Sequence, residues 1–166
     1  MTTTTLEEKM SGNLKEQNLA FQAAESALRD AKLDILGLNI AGAISTTGRP
    51  TPISGETNFG DGTDTRPSCS TSGLCAPAST SYAAAALNNT NILAQNFTAA
   101  PSVEYGTFTG APNLSNVARQ PRYIIEAVNV RPLGNTGRLI WYRITARGYG
   151  ARLESQATIQ EVFRLE

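Results

Sequence analysis

The chain has 166 residues, 14 Lys and Arg against 14 Asp and Glu, no histidine, and 40% hydrophobic residues. That length suits one domain able to bury a real core. Zero net charge gives no sign of a nucleic-acid or membrane-surface binder, and the lack of histidine excludes a mixed cysteine and histidine zinc site. The balance is local, however. Residues 1–36 carry six acids and four bases, 37–121 four and three, and 122–166 four acids and seven arginines, for net charges of about −2, −1 and +3. An acidic N-terminal segment therefore faces a basic C-terminal one.

The segment from Leu6 to Leu36 reads as one long amphipathic helix. Leu6, Met10, Leu14, Phe21, Ala24, Leu28, Ala31 and Ile35 recur at steps of three, four and seven, while Glu7, Lys9, Lys15, Glu16, Glu25, Arg29, Asp30, Lys32 and Asp34 lie off that stripe. Thr5 and Glu8 fit a capping box, and Gly37 suits the left-handed position that ends a helix. At about 1.5 Å per residue the helix reaches roughly 45 Å, long enough to project from a small domain. Gly12 is a soft point within it, worth about 1 kcal/mol relative to alanine.

After Gly37 the chain changes character. Residues 37–121 are dominated by Gly, Pro, Ser, Thr, Asn and Ala, which is turn and loop chemistry, with Pro50-Thr51-Pro52 and Gly60-Asp61-Gly62 as punctuation. Cys69 and Cys75 fall in this stretch; in an exported protein they read as a local disulfide that constrains the unfolded chain by roughly 2–3 kcal/mol, and in a reducing compartment as two free thiols. A short helix is expected from about Tyr82 to Gln95, and a brief strand over Val103 to Phe108.

From Arg122 the period switches to two. Arg122 to Val130, Leu139 to Arg147 and Ala157 to Leu165 are rich in β-branched and aromatic residues and are bounded by Pro132, Gly134-Asn135, Gly137 and Gly148 to Gly150. Three such strands pair most simply as an antiparallel meander. In the middle strand Ile140, Ile144 and Ala146 share one face, and Arg143, Thr145 and Arg147 the other, so the apolar face needs a cover. The N-terminal helix is the large amphipathic partner available, with Phe21, Leu28 and Ile35 predicted in the helix–sheet core and Leu6, Met10 and Leu14 left beyond the sheet. The fold class expected is α+β: a long N-terminal helix (1–36), a long loop region (37–121) and a C-terminal antiparallel sheet (122–166) in one domain.

Catalytic chemistry has no signature here. No Gly-x-Ser-x-Gly, Walker A loop or paired-carboxylate motif is present, so no catalytic residue, cofactor or metal ligand is assigned and an enzyme is not expected. Asn58, Asp61 and Asp64 offer oxygens at steps of three without the spacing or the closing glutamate of a calcium loop, and a plain turn is preferred. The sequon-like Asn88-Asn89-Thr90, Asn96-Phe97-Thr98 and Asn113-Leu114-Ser115 read as loop.

This layout resembles a type IV pilin without its hydrophobic N-terminal segment. Leu6-Glu7-Glu8-Lys9-Met10-Ser11-Gly12-Asn13 followed by Asn18 to Ala31 resembles the helical signature of PilX-type minor pilins, and Gln120 to Glu126, Tyr142 to Gly150 and Ser155 to Gln160 look like that family's sheet. The resemblance implies a soluble piece of an inner-membrane protein whose upstream residues form a short leader and an apolar helix continuous with Leu6. It also implies a structural role: assembly with other minor pilins and the major pilin into a complex that primes pilus polymerisation and sits at the tip, often beneath a large tip adhesin, with a periplasmic head before assembly. No nucleic-acid partner is implied. Within this picture Leu6, Met10 and Leu14 form a packing stripe for the fibre, and Trp141, Arg143 and Arg147 a partner-contact face, unless residues 37–121 fold over that face. A minor pseudopilin of a type II secretion system shares the fold, and a secreted carbohydrate- or surface-binding module using the 37–121 loop is the reading from another class.

Overall fold

The structure, a computed structural model, describes residues 3–49, 53, 69, 72–75, 90–133 and 137–164. Helix α1 spans Thr3–Leu36, about 51 Å at 1.5 Å per residue. It begins before Thr5, which therefore lies inside the helix instead of capping it. Gly37 ends it at φ 68°, where an L side chain is strained, and its N–H donates to Asp34 O at 3.0 Å.

The sheet is mixed. Strands β3 (Arg122–Leu133), β4 (Gly137–Tyr149) and β5 (Gln156–Arg164) form an antiparallel meander, as the periodicity predicts; β3 and β4 run two or three residues past the expected bounds, and β5 begins one residue before its own. Two short strands share the far edge of β3: β1 (Leu74–Cys75) pairs parallel to it opposite Ile125 and Glu126, and β2 (Val103–Glu104) antiparallel opposite Arg122 and Tyr123. The second strand is briefer than the Val103 to Phe108 expected. A bulge interrupts β3 between Ala127 and Asn129, whereas β4 and β5 pair without a break. Of the helix expected over 82–95, one turn, α2 (Thr90–Leu93), is present, and residues 82–89 lie outside the described residues.

Helix α1 packs on β4 through its small residues. Ala20, Ala23, Ala24, Ala27 and Ala31 are essentially inaccessible, and a Cβ at Gly148 of β4 would collide with Ala20 O and Ala24 N and sit 2.9 Å from Ala23 C. Main chain meets main chain at this crossing, which alanine and glycine alone permit. Leu28, Ile35 and Ile144 are buried in the same core with Tyr123, Ile125, Tyr142 and Leu74. Phe21 is not in it: the ring is 46% exposed. At about 100° per residue, Phe21 lies on the sector of Leu6, Met10 and Leu14, about 100° from Ala20 beside it, which faces Gly148; Leu28 and Ile35 share Phe21's sector to within about 40° but sit further along the helix, where they are buried. The helix approaches too closely for a phenylalanine to fit beneath it. Ile140 lies in β4 opposite Val130, with its side chain outside the described residues.

Gly148→Val should therefore destabilise the domain by about 1–3 kcal/mol or more, because overpacking at a backbone crossing cannot be relieved by a rotamer change. Chemical denaturation measures it; an unchanged midpoint would mean that the crossing is looser than this geometry.

Candidate assembly surfaces

Two surfaces bear on function: the uncovered half of α1 and the face of the sheet away from it. On the first, Leu6, Met10 and Leu14 are exposed, Met10 to 65%, and Phe21 continues their line up to the head. Beside them an open groove is lined by Glu8, Gly12, Glu16, Leu19, Asn116 and Arg152. Glu16 anchors the head to the helix here: its carboxylate accepts the Arg152 N–H at 3.2 Å, and Gly150 lies too near Glu16 to carry a side chain freely. Further along, Lys32 Nζ reaches Glu161 of β5 at 2.5 Å.

The second face departs from the expectation that Trp141, Arg143 and Arg147 form a free contact surface. Arg143 is 6% exposed and donates through Nε and Nη2 to the Glu126 carboxylate at 2.7 and 2.8 Å; Glu126 is itself 2% exposed. Arg147 lies over the Phe97 ring, 4.5 Å from its centroid, and donates to Thr158 Oγ1 at 3.0 Å. Trp141, half-buried, lies beside Arg164, whose guanidinium is 5.7 Å from the ring centre. Loop residues do fold over this face. Ile92, Phe97 and Cys75 close a second apolar cluster on Ile124, and Tyr149 donates from its hydroxyl to Phe97 O at 3.1 Å. A charged pair under such a cover must be neutralised internally. The hairpin pairs Leu133 with Gly137, from which an unbroken count would set Glu126 opposite Ile144; the bulge between Ala127 and Asn129 shifts it opposite Arg143, and strand alternation alone carries no signal for that.

The loops are tied to α1 by two buried aspartates that the helical pattern had put off the stripe, on the wet side. Asp34 accepts two bonds from Arg49 Nε, at 2.9 and 3.1 Å, one from Arg49 Nη2 at 2.9 Å, and one from the Tyr123 hydroxyl at 2.9 Å. Arg49 also donates to Ser72 O at 2.6 Å, so one side chain joins the helix, the loop after it and the turn of the disulfide. One turn earlier Asp30 accepts from the Thr109 hydroxyl and, at 2.9 Å, from the Gly106 N–H. Burial pushes both carboxyls above the usual 3.8, against the pull of their hydrogen bonds. The same loss of water drives the Tyr142 hydroxyl, which donates to Ile53 O, up to about 12.

Cys69 and Cys75 are joined as a disulfide, and Cys75 is the second residue of β1. Leu74 beside it enters the core under α1 while Cys75 enters the outer cluster, so two consecutive residues pin both layers. Asn96 caps its own turn, its Oδ1 accepting from Thr98 N at 2.7 Å. Asn58, Asp61 and Asp64 lie outside the described residues. Among the described residues no three His, Cys, Asp or Glu side chains gather to hold a metal, and no helix is long and apolar enough to cross a membrane.

Two family models cover both ends of this architecture: PilX N-terminal over residues 1–29, and type IV pilus assembly protein PilX C-term over residues 61–165. The chain belongs to the PilX family. It is thus a type IV pilus assembly protein, placed at the cell envelope and associated with other pilus components. No curated protein and no solved structure matches it. The N-terminal PilX match falls on α1, including its uncovered stripe, and the C-terminal one spans the disulfide turn and the whole meander.

Arg143→Ala should cost about 3–5 kcal/mol in denaturant, since it strands Glu126 in the interior, while replacing both residues by leucine or methionine should be nearly neutral. Equal, small losses in the two variants would contradict the buried-pair account. The aspartates make a second prediction. A carboxyl whose folded pKa is raised binds protons more readily folded than unfolded, so its contribution to stability is complete below about 3.8 and is lost as pH rises through the raised value. Asp30→Asn should accordingly flatten the decline of the urea midpoint with pH across that window; a decline as steep as in the parent would dismiss the assignment.

Proposed function

We propose that the chain is a minor pilin that joins other minor pilins, and through them the major pilin, in a complex that primes pilus polymerisation and occupies the tip, without catalysing a reaction. In this reading residues 1–166 act as one domain: 1–36 as a stalk, 37–121 as a variable covering layer, and 122–166 as the sheet that grips the stalk. Before assembly the head is periplasmic and the protein is held at the inner membrane through an apolar continuation of α1; afterwards it is at the fibre tip, where a large adhesin is a further partner.

The supporting observation is that a pilus-assembly chain leaves Leu6, Met10, Leu14 and Phe21 uncovered along one sector of a helix whose other half is clamped. Each such side chain gains about 1.5–3 kcal/mol when fully buried, so a line of four is a strong inducement to pack among like helices. The pseudopilin and secreted-module readings have no observation in their favour that this one lacks.

Met10→Glu with Leu14→Glu should leave the denaturation midpoint of the head within about 0.5 kcal/mol, because both sites are exposed, yet abolish recovery of the protein with its minor-pilin partners and reduce surface pili. Normal recovery and piliation would remove this surface from the assembly.

A further inference from the structure

The free half of α1 has a second face, on the far side from its apolar line. Gly12 follows Met10 by two residues, about 160° around the helix, and a Cβ added at Gly12 would meet nothing within 4 Å. It lies in the groove beside α1, which Lys9 and Lys15 also line together with Glu8 and Glu16. Seven residues come close to two whole turns, so Glu8 and Lys15 stand in one row, about 40–60° to one side of Gly12. Lys9 and Glu16 stand in a second row as far to the other side. Each row holds one acid and one base, in opposite order. Glu8, Lys9 and Lys15 are exposed, and among the described residues none of the three is in an ion pair.

We propose that this face pairs with the same face of a second copy of the chain, the two helices parallel, in register and crossing at Gly12. Face to face about a two-fold axis along the helices, each row meets the other row of the second copy. Glu8 then stands beside Lys9 of the second copy and Lys15 beside Glu16 of the second copy, and the same contacts recur on the other flank. Every charge in the face meets its opposite. A slip of one heptad would set Glu16 against Glu8 and Lys15 against Lys9, so the charges choose the register, as flanking charges do in coiled coils. Glycine at the crossing lets the two main chains approach closely. The heads do not obstruct it: Ala20, which faces Gly148, is about 80° from Gly12, and the two-fold sends the two heads to opposite sides of the pair.

An antiparallel pair would also bring opposite charges together, Glu8 beside Lys15. It would aim the uncovered helix halves in opposite directions, and one shaft could not take both. The direction of the pair therefore rests on the assembly role above, whereas the pairing of the face does not. Since Gly12 and Met10 lie on opposite sides of α1, the pair leaves Leu6, Met10 and Leu14 of both copies turned outward for other subunits.

Sedimentation of the purified chain at low ionic strength and up to millimolar concentration tests the pairing. The parent should form a dimer that dissociates as salt is raised. Glu8→Lys alone should weaken it at least tenfold, with the denaturation midpoint unmoved because the site is exposed. Glu8→Lys with Lys9→Glu should restore parental association, since the exchanged charges still face each other, while Glu8→Lys with Lys15→Glu should not. A parent that stays monomeric, or a dimer indifferent to Glu8→Lys, overturns the proposal. Rescue by Lys15→Glu in place of Lys9→Glu overturns the parallel arrangement in favour of the antiparallel one. Each of these results leaves recovery of the minor-pilin partners to be read separately through Met10 and Leu14, so the assembly role can stand where the pairing fails.

Discussion

The contact on which the rest of this structure depends is the one between the alanine sector of α1 and Gly148 of β4. With side chains reduced to methyl groups and a hydrogen, the helix and sheet main chains nearly touch, and the interface is specified by what is missing. Dispersion at that separation is dense, and each added carbon is punished. The consequence is geometric. At the level of this crossing the helix is seated on its small residues and Phe21 is turned aside with Leu6, Met10 and Leu14, whereas Leu28 and Ile35, further along, enter the core.

Holding the helix at that depth requires more than the crossing itself. Asp30 and Asp34 enter the same interface from α1 and are satisfied there by Thr109, Gly106, Arg49 and Tyr123, all from other segments. Burying two carboxylates one turn apart is costly, and burial indeed outweighs the hydrogen bonds in setting their protonation. What they contribute is specificity. Long loops of low hydrophobicity have no apolar face with which to choose a position, and a buried anion with directed donors chooses one for them. The disulfide acts on the other layer in the same sense, fixing the two-residue strand whose Leu74 and Cys75 point into opposite clusters.

Much of this was legible in the residues, and the failures share one cause. The long helix, its glycine stop and the three-strand meander follow from periodicity and turn residues, because both signals are local. The division of labour around the helix did not follow, since a stripe drawn through the largest apolar residues weighs phenylalanine above alanine. Packing distance reverses that weight. Likewise Arg143 reads as solvated when strand alternation is taken to mean one wet face, but loops covering the second face turn it into half of a buried pair. Asp30 and Asp34 were misplaced for the same reason: charge was taken as a guide to exposure, and near a long loop it guides to the loop's anchor. Cysteine spacing did disclose the bridge, though not that it would build a sheet edge.

The two corrections together alter where the molecule offers itself to others. With Arg143 paired to Glu126 and Arg147 lying over Phe97, the surface that stays unfinished among the described residues is linear: the large side chains along the uncovered half of α1. Such a line is non-directional, since apolar contact imposes no register, and suits any helix of the same character. Direction comes from the head, because Glu16 meets Arg152 and Lys32 meets Glu161, so that β5 runs the same way as α1 and whatever packs on the line is held in fixed orientation to the sheet.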